Sequence, residues 1–258
     1  MNYRNHFLTV NPEKEEFVTV DGQTFGCYGI ITELVTEQTD LTAFVLQYAA
    51  PLLKPGDILL LSEKMVACAQ GKARPLDSIH PGGLARFLCR YVRKTEYGIG
   101  LSMPETMQCA LDECGVFRIL LAAAAGAAGR LFGKKGWFYR VAGYKAAAVD
   151  GPCEFTIPPY DRCVVPAPSH PGQTARMVSK ILGCTVLIID CNDIGGRILA
   201  SSHRKTEPLL FPAGANAESP GAVPGTDAHW DSPALPSKPG PQQNAGKIRT
   251  SAVIGDLG

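Results

Sequence analysis

Two stretches of this sequence hold residues suited to handling charged oxygen. In GDILLLSEKMVACAQGK (56–72) an apolar run ends in Ser62-Glu63-Lys64, and Gln70-Gly71-Lys72 follows. In VLIIDCNDIGGR (186–197) a second apolar run delivers Asp190 and Asp193, with Asn192 between them and Arg197 beyond. Lys64 is a compact cation that can meet a phosphate or a carboxylate. Asp190, Asp193 and Asn192 offer the hard oxygen donors that Mg²⁺ or Mn²⁺ takes. A cation held there neutralises charge on transferring phosphate oxygens, and Arg197 suits a bidentate phosphate contact. Each stretch also has a plainer reading. Lys64 can be a solvated residue after a core strand, and the acids can be turn residues beside permissive glycines. The first stretch lacks the Gly-x-x-x-x-Gly-Lys spacing of a P-loop.

Other candidates are weaker. WFYRVAGYKAAAVDGP (137–152) reads as a strand, then small residues, then Asp150, which also reads as a plain turn residue. GAAGRLFG (126–133) has neither the spacing nor the preceding strand of a dinucleotide fingerprint. IPPYDR (157–162) is an extended loop stiffened by its prolines. Nine cysteines, an odd number with no Cys-x-x-Cys and no zinc-type Cys/His spacing, predict reduced and mostly buried thiols.

The elements that must position these residues follow from periodicity and turn chemistry. Residues 16–35 predict strands and a turn, and Asp40–Leu53 predicts a helix capped by Asp40 or Thr39. Lys54-Pro55-Gly56-Asp57 is a turn before the strand 58–62, and Arg74-Pro75 reads as a loop. Helices are predicted at 81–97, at 104–114 with Ser102 as cap and Glu105 behind it, and at 176–182 before Gly183. The Ala-rich stretch 116–128 predicts a buried helix, and 137–143 and 184–190 predict strands. A short strand-like piece falls at 251–254.

Composition bounds the function. The chain has 258 residues, a net charge of +1, 45% apolar and 19% charged residues. It can bury a full core without disulfide staples, and its apolar content excludes global disorder. The balanced charge offers no footprint for nucleic acid. The longest apolar run, Ile119–Gly129, is far short of the roughly 20 residues that span a bilayer. The N-terminal residues carry charges where a signal peptide needs apolar ones. The expectation is a soluble cytoplasmic protein with a small-molecule substrate and neither nucleic acid nor membrane as partner. An α+β domain is expected over 1–206. A segment with eight prolines, expected to be flexible, spans 207–246, and a tail spans 247–258.

The order of the three motifs resembles the coenzyme F-420:glutamate (gamma-glutamyl) ligase family. The likeness starts near ITELVTEQTDL (31–41), is strongest at GDILLLSEKMVACAQGK, and recurs at FYRVAG and VLIIDCND. The stretch FYRVAGYKAAAVDGP with TIPPYDRCVV looks like a divergent branch of it. The resemblance implies an α+β fold of mixed sheets with packed helices, a homodimer, GTP and a divalent metal, Mg²⁺ or Mn²⁺. It implies amide formation through phosphorylation of an acceptor carboxylate. It places Glu63 and Lys64 at nucleotide-contacting positions, Asp190 at a metal-binding acid and Cys191 at an adjacent hydroxyl position. Two positions depart from the family's pattern: Cys68 stands where the family has a nucleotide-binding lysine, and Lys145 where it has the other metal-binding acid. With both changed, the alternative is a binding protein that keeps the fold without the chemistry.

Overall fold

In a computed structural model of the chain, the described residues are 8–9, 17–20, 23–92, 100–134, 136–154, 156–191, 196–203 and 248–256. They divide into two compact units, one within Met1–Arg74, Val165–Ala217 and Ile248–Gly258, the other within Pro75–Val164.

The first unit is built on a mixed sheet. Its strands are β1 (Leu8–Thr9), β2 (Phe17–Val20), β3 (Gln23–Thr32), β4 (Ile58–Ser62), β7 (Thr185–Cys191), β8 (Gly196–Ser201) and β9 (Ile248–Asp256). The order is β1-β3-β9-β4-β7-β8, with β2 also paired to β3. Every pairing is antiparallel except β4–β7. The helices are α1 (Leu41–Tyr48), α2 (Glu63–Ala69) and, later in the chain, Pro171–Leu182. Asp40 caps α1, its Oδ1 accepting from Thr42 N at 2.8 Å and Ala43 N at 3.4 Å. The turn 54–57 closes as expected, with Asp57 Oδ2 accepting from Lys54 N at 2.8 Å.

Strands β4 and β7 are apolar on both sides because both sides are covered. Leu59, Leu61, Val186 and Ile188 pack with Phe44, Val45, Met65, Ala175 and Val178. Ile58 and Leu187 pack with Phe25 on the other side. The two-residue alternation of a strand sorts them this way. The strand-like piece near the C-terminus is part of β9, inserted between β3 and β4.

The second unit is helical. It contains α3 (Gly83–Leu88), α4 (Pro104–Cys114), α5 (Val116–Leu131), α6 (Trp137–Ala142) and α7 (Tyr144–Ala147). The helix Pro171–Leu182 is therefore α8, and Arg74–Pro75 and Cys163–Val164 are the short strands β5 and β6. The core gathers Leu88, Leu101, Met107, Leu111, Ile119, Ala122, Val149 and Val164. Among the described residues, no single helix is long and apolar enough to cross a membrane.

Several expectations are corrected. The residue at the N-cap of α4 is Met103, with no side-chain cap bond; Ser102 ends a preceding 3-10 turn. The predicted helix 81–97 is α3 followed by a 3-10 turn at Cys89–Tyr91, and 93–99 lie outside the described residues. Arg74–Pro75 is a short strand rather than a loop, and 157–162 end in a 3-10 turn at Tyr160–Arg162. The segment 137–142 is a helix, not a strand. Gly136 and Gly143, at φ +83° and +87°, bracket it and let the chain enter and leave one short helical run. Helix α5 is not buried: only Ile119, Ala122 and Gly129 are. The Pro-rich segment expected at 207–246 lies outside the described residues.

Candidate functional site

The parallel pairing of β4 with β7 brings the two charged motifs to one edge of the sheet. Ser62 is in register with Ile189, so Glu63, which opens α2, and Asp190, near the end of β7, each follow the last residue of the parallel pairing. In open sheets the carboxyl ends of parallel strands are where ligands bind, because loop residues there stand on a rigid base.

The side chains of the first motif are engaged. Glu63 is 1% exposed, and Lys64 Nζ lies 2.8 Å from its Oε1. Lys64 Nζ also donates to the carbonyl of Val165 at 3.3 Å, and Lys72 Nζ to that of Ala167 at 2.8 Å. Gln70 completes the series: its Nε2 donates to the carbonyl of Ser169 at 3.0 Å and its Oε1 accepts from Ser169 N at 2.6 Å. The acceptors fall at every second residue, 165, 167 and 169. In an extended segment alternate carbonyls share one side. Pro166 and Pro168 lack an N–H, so this stretch donates little to any ladder of its own. Side chains of α2 and its exit thus substitute for a neighbouring strand. Lys64 is therefore neither a solvated lysine nor a bare ammonium: it holds this strap and neutralises Glu63.

At the end of β7, Asp190 is exposed, and its cross-strand partner in register is Arg197 of β8. Directly opposite residues on an antiparallel pair leave the sheet on the same face, within reach of one another for long side chains. Asp193 and Asn192 lie outside the described residues. Among the described residues no group of three His, Cys, Asp or Glu is placed to hold a metal ion. In the helical unit, Lys145 lies 4.0 Å from Glu113 Oε2, and Asp150 is exposed.

Sequence reasoning missed the strap, and only the spacing of Gln70 and Lys72 behind Lys64 hinted at it. GAAG has a packing use. Helix α5 approaches α6 so closely that a Cβ on Gly129 would fall 2.8 Å from Lys134 O and 3.0 Å from Trp137 Cγ.

Four of the cysteines lack the character of nucleophiles. Cys27, Cys68, Cys89, Cys109, Cys114, Cys153, Cys163 and Cys184 are free thiols. Burial pushes the thiols of Cys27, Cys114, Cys163 and Cys184 above their ordinary value, so they stay protonated at neutral pH. A raised folded value means the native state keeps its protons longer than the unfolded chain does. The stabilisation is complete below the ordinary thiol range, about pH 8.5, and is lost as pH rises above it. We expect the melting temperature to fall between neutral and strongly alkaline pH. A set of Cys→Ala variants at these positions should flatten that slope, and an unchanged slope would refute the assignment.

A sequence model of the F420-0:Gamma-glutamyl ligase family matches residues 29–199. That span covers β4, α2 and most of β7–β8, as well as the helical unit. No curated protein matches the chain. The fold is α+β, and the chain belongs to the F420-0:gamma-glutamyl ligase family.

Proposed function

We propose that this protein joins the amino group of glutamate, or of a similar amino acid, to a carboxylate on a small acidic acceptor at the expense of GTP. The observation that carries this reading is the register of β4 and β7, which sets Glu63-Lys64 and Asp190 at one sheet edge within the matched region. In such a ligation the nucleotide supplies the phosphoryl group that converts the acceptor carboxylate to an acyl phosphate. The amine attacks the carbonyl carbon, phosphate leaves, and a proton is lost from nitrogen as the amide forms. The residues available to this chemistry have distinct parts. Lys64, held by buried Glu63, offers a positioned positive charge. Arg197 offers a planar guanidinium for phosphate oxygens beside Asp190. Asp190 and Asp193 remain the acids proposed for Mg²⁺ or Mn²⁺. A homodimer in the cytoplasm is part of the same proposal.

A second reading is a nucleotide- or metabolite-binding protein without turnover. It is favoured by buried Cys68 and by Lys145 beside Glu113, the two positions that depart from the family's pattern.

Calorimetric titration with GTP, ATP and Mg²⁺, followed by a phosphate-release assay with glutamate and small polycarboxylates, separates the two. Amine-dependent release establishes ligation. Binding without release for any acceptor tried favours the second reading, and no binding at millimolar nucleotide removes the ligase and leaves only a metabolite-binding protein. For Asp190→Ala we expect Mg²⁺-dependent GTP binding to be lost while the ligand-free melting temperature barely moves. A large ligand-free drop would show instead that Asp190 serves the β7–β8 pairing.

A further inference from the structure

The outer face of α5 is apolar where a surface helix is ordinarily polar. Phe117 is 90% exposed, Leu131 86%, Phe132 72% and Leu121 64%. With Leu120 and Ala124, also exposed, they fall within about 120° of one another at 100° per residue and form one stripe along the helix. The buried residues Ile119, Ala122 and Gly129 occupy the opposite face. In the last turn of α5, Arg130 Nη2 donates to the carbonyl of Tyr91 at 2.6 Å. That bond places the exposed ring pair Phe87–Tyr91 next to α5.

Charge around the stripe has one sign. From Gly115 to Val149 the sequence holds Arg118, Arg130, Lys134, Lys135, Arg140 and Lys145, and no Asp or Glu. The whole chain nets only +1, so this stretch concentrates positive charge. Arg118 and Arg130 are both exposed on α5, but at 100° per residue they fall toward its packed side rather than beside the stripe, and Arg118 Nε donates to the carbonyl of Val141 at 3.0 Å. The acids that precede it are engaged: Asp112 Oδ1 accepts from Gln108 Nε2 at 2.8 Å, and Glu113 faces Lys145.

We propose that this face docks on an anionic lipid bilayer, with α5 lying in the plane of the interface. Apolar side chains immersed below the headgroups, with a rim of Arg and Lys at headgroup level, are the physical features of an interfacial helix. Aromatic rings at Phe132, Tyr91 and Phe87 suit the same depth. A second copy is a poor occupant, because a two-fold contact would bring this cationic stretch against itself. The helix docks without spanning: it has 16 residues, and α4 meets it across Gly115 at a bend of 116°.

The test uses the full chain and sedimentation with two kinds of vesicle, phosphatidylcholine alone and phosphatidylcholine mixed with phosphatidylglycerol. Binding is expected to the anionic vesicles only and to weaken as salt rises. Phe117→Glu/Leu121→Glu should weaken it about tenfold or more, with an unchanged urea midpoint because both side chains are on the surface. Lys134→Glu/Lys135→Glu should weaken it as well. The proposal is overturned if the protein ignores anionic vesicles or if the apolar double variant binds them equally. It is also overturned if the double variant abolishes self-association, or capture of a polyglutamate peptide, in a protein that binds no vesicles.

Discussion

Lys64→Ala is expected to cost about 2–3 kcal/mol of folding stability, well beyond what an ordinary surface lysine contributes. The reason is its neighbour. Glu63 is 1% exposed at the end of β4, and the substitution removes the ammonium 2.8 Å from its Oε1 together with the donor to Val165 O. A buried charge stripped of its counter-ion costs roughly 3–5 kcal/mol; we place this case lower because Lys64 itself is 27% exposed and water can partly replace it. Glu63→Gln removes the charge instead of stranding it, so Glu63→Gln/Lys64→Ala should recover part of the loss, with a coupling of about 1 kcal/mol or more. Urea denaturation of the four proteins measures this cycle. A coupling near zero would show that the pair contributes nothing to the fold and leave Lys64 to ligand binding alone.

Substitution of Gly129 carries the other large effect, and its sign is opposite to the usual one. In an exposed helix interior, Gly→Ala stabilises by about 1 kcal/mol. At Gly129 a methyl group would meet the backbone carbonyl of Lys134 at 2.8 Å and the Trp137 ring at 3.0 Å. Lys134 N donates to Gly129 O at 2.7 Å, which holds the residue that carries this carbonyl close to Gly129. We expect Gly129→Ala to destabilise by about 1–2 kcal/mol and Gly129→Val by about 3 or more, with α6 displaced. Gly126→Ala is the internal control. Its Cβ would lie 3.2 Å from Phe138 Cβ, a contact that a small shift relieves, so the helix gain should offset the crowding. Thermal denaturation checks the series, and a stabilised Gly129→Ala would refute the close approach of α5 and α6.

Several features were legible in the sequence because their causes are local. The apolar runs 58–62 and 184–190, bounded by turn residues, read as strands and are strands. The Asp40 cap, the turn at 54–57 and the helix closed by Gly183 are likewise written in neighbouring residues. The motif resemblance and the family match agree because β4, α2 and β7 carry both the strongest sequence pattern and the sheet edge.

Other features had no local signal. Bulky residues at 137–142 suit a strand or a helix equally, and the glycines that receive them lie on α5, eight and more positions earlier. The Ala-rich run 116–128 reads as interior by composition, but only one of its faces meets the helical core, and what covers a face is a property of packing. The contacts of Lys64, Lys72 and Gln70 reach carbonyls 101, 95 and 99 residues away. Local residues can set backbone conformation, because that depends on adjacent sterics and short hydrogen bonds. Which distant backbone an ammonium or amide meets is settled only when parallel pairing of β4 and β7 closes the intervening chain into a loop, and that is a decision of the tertiary fold.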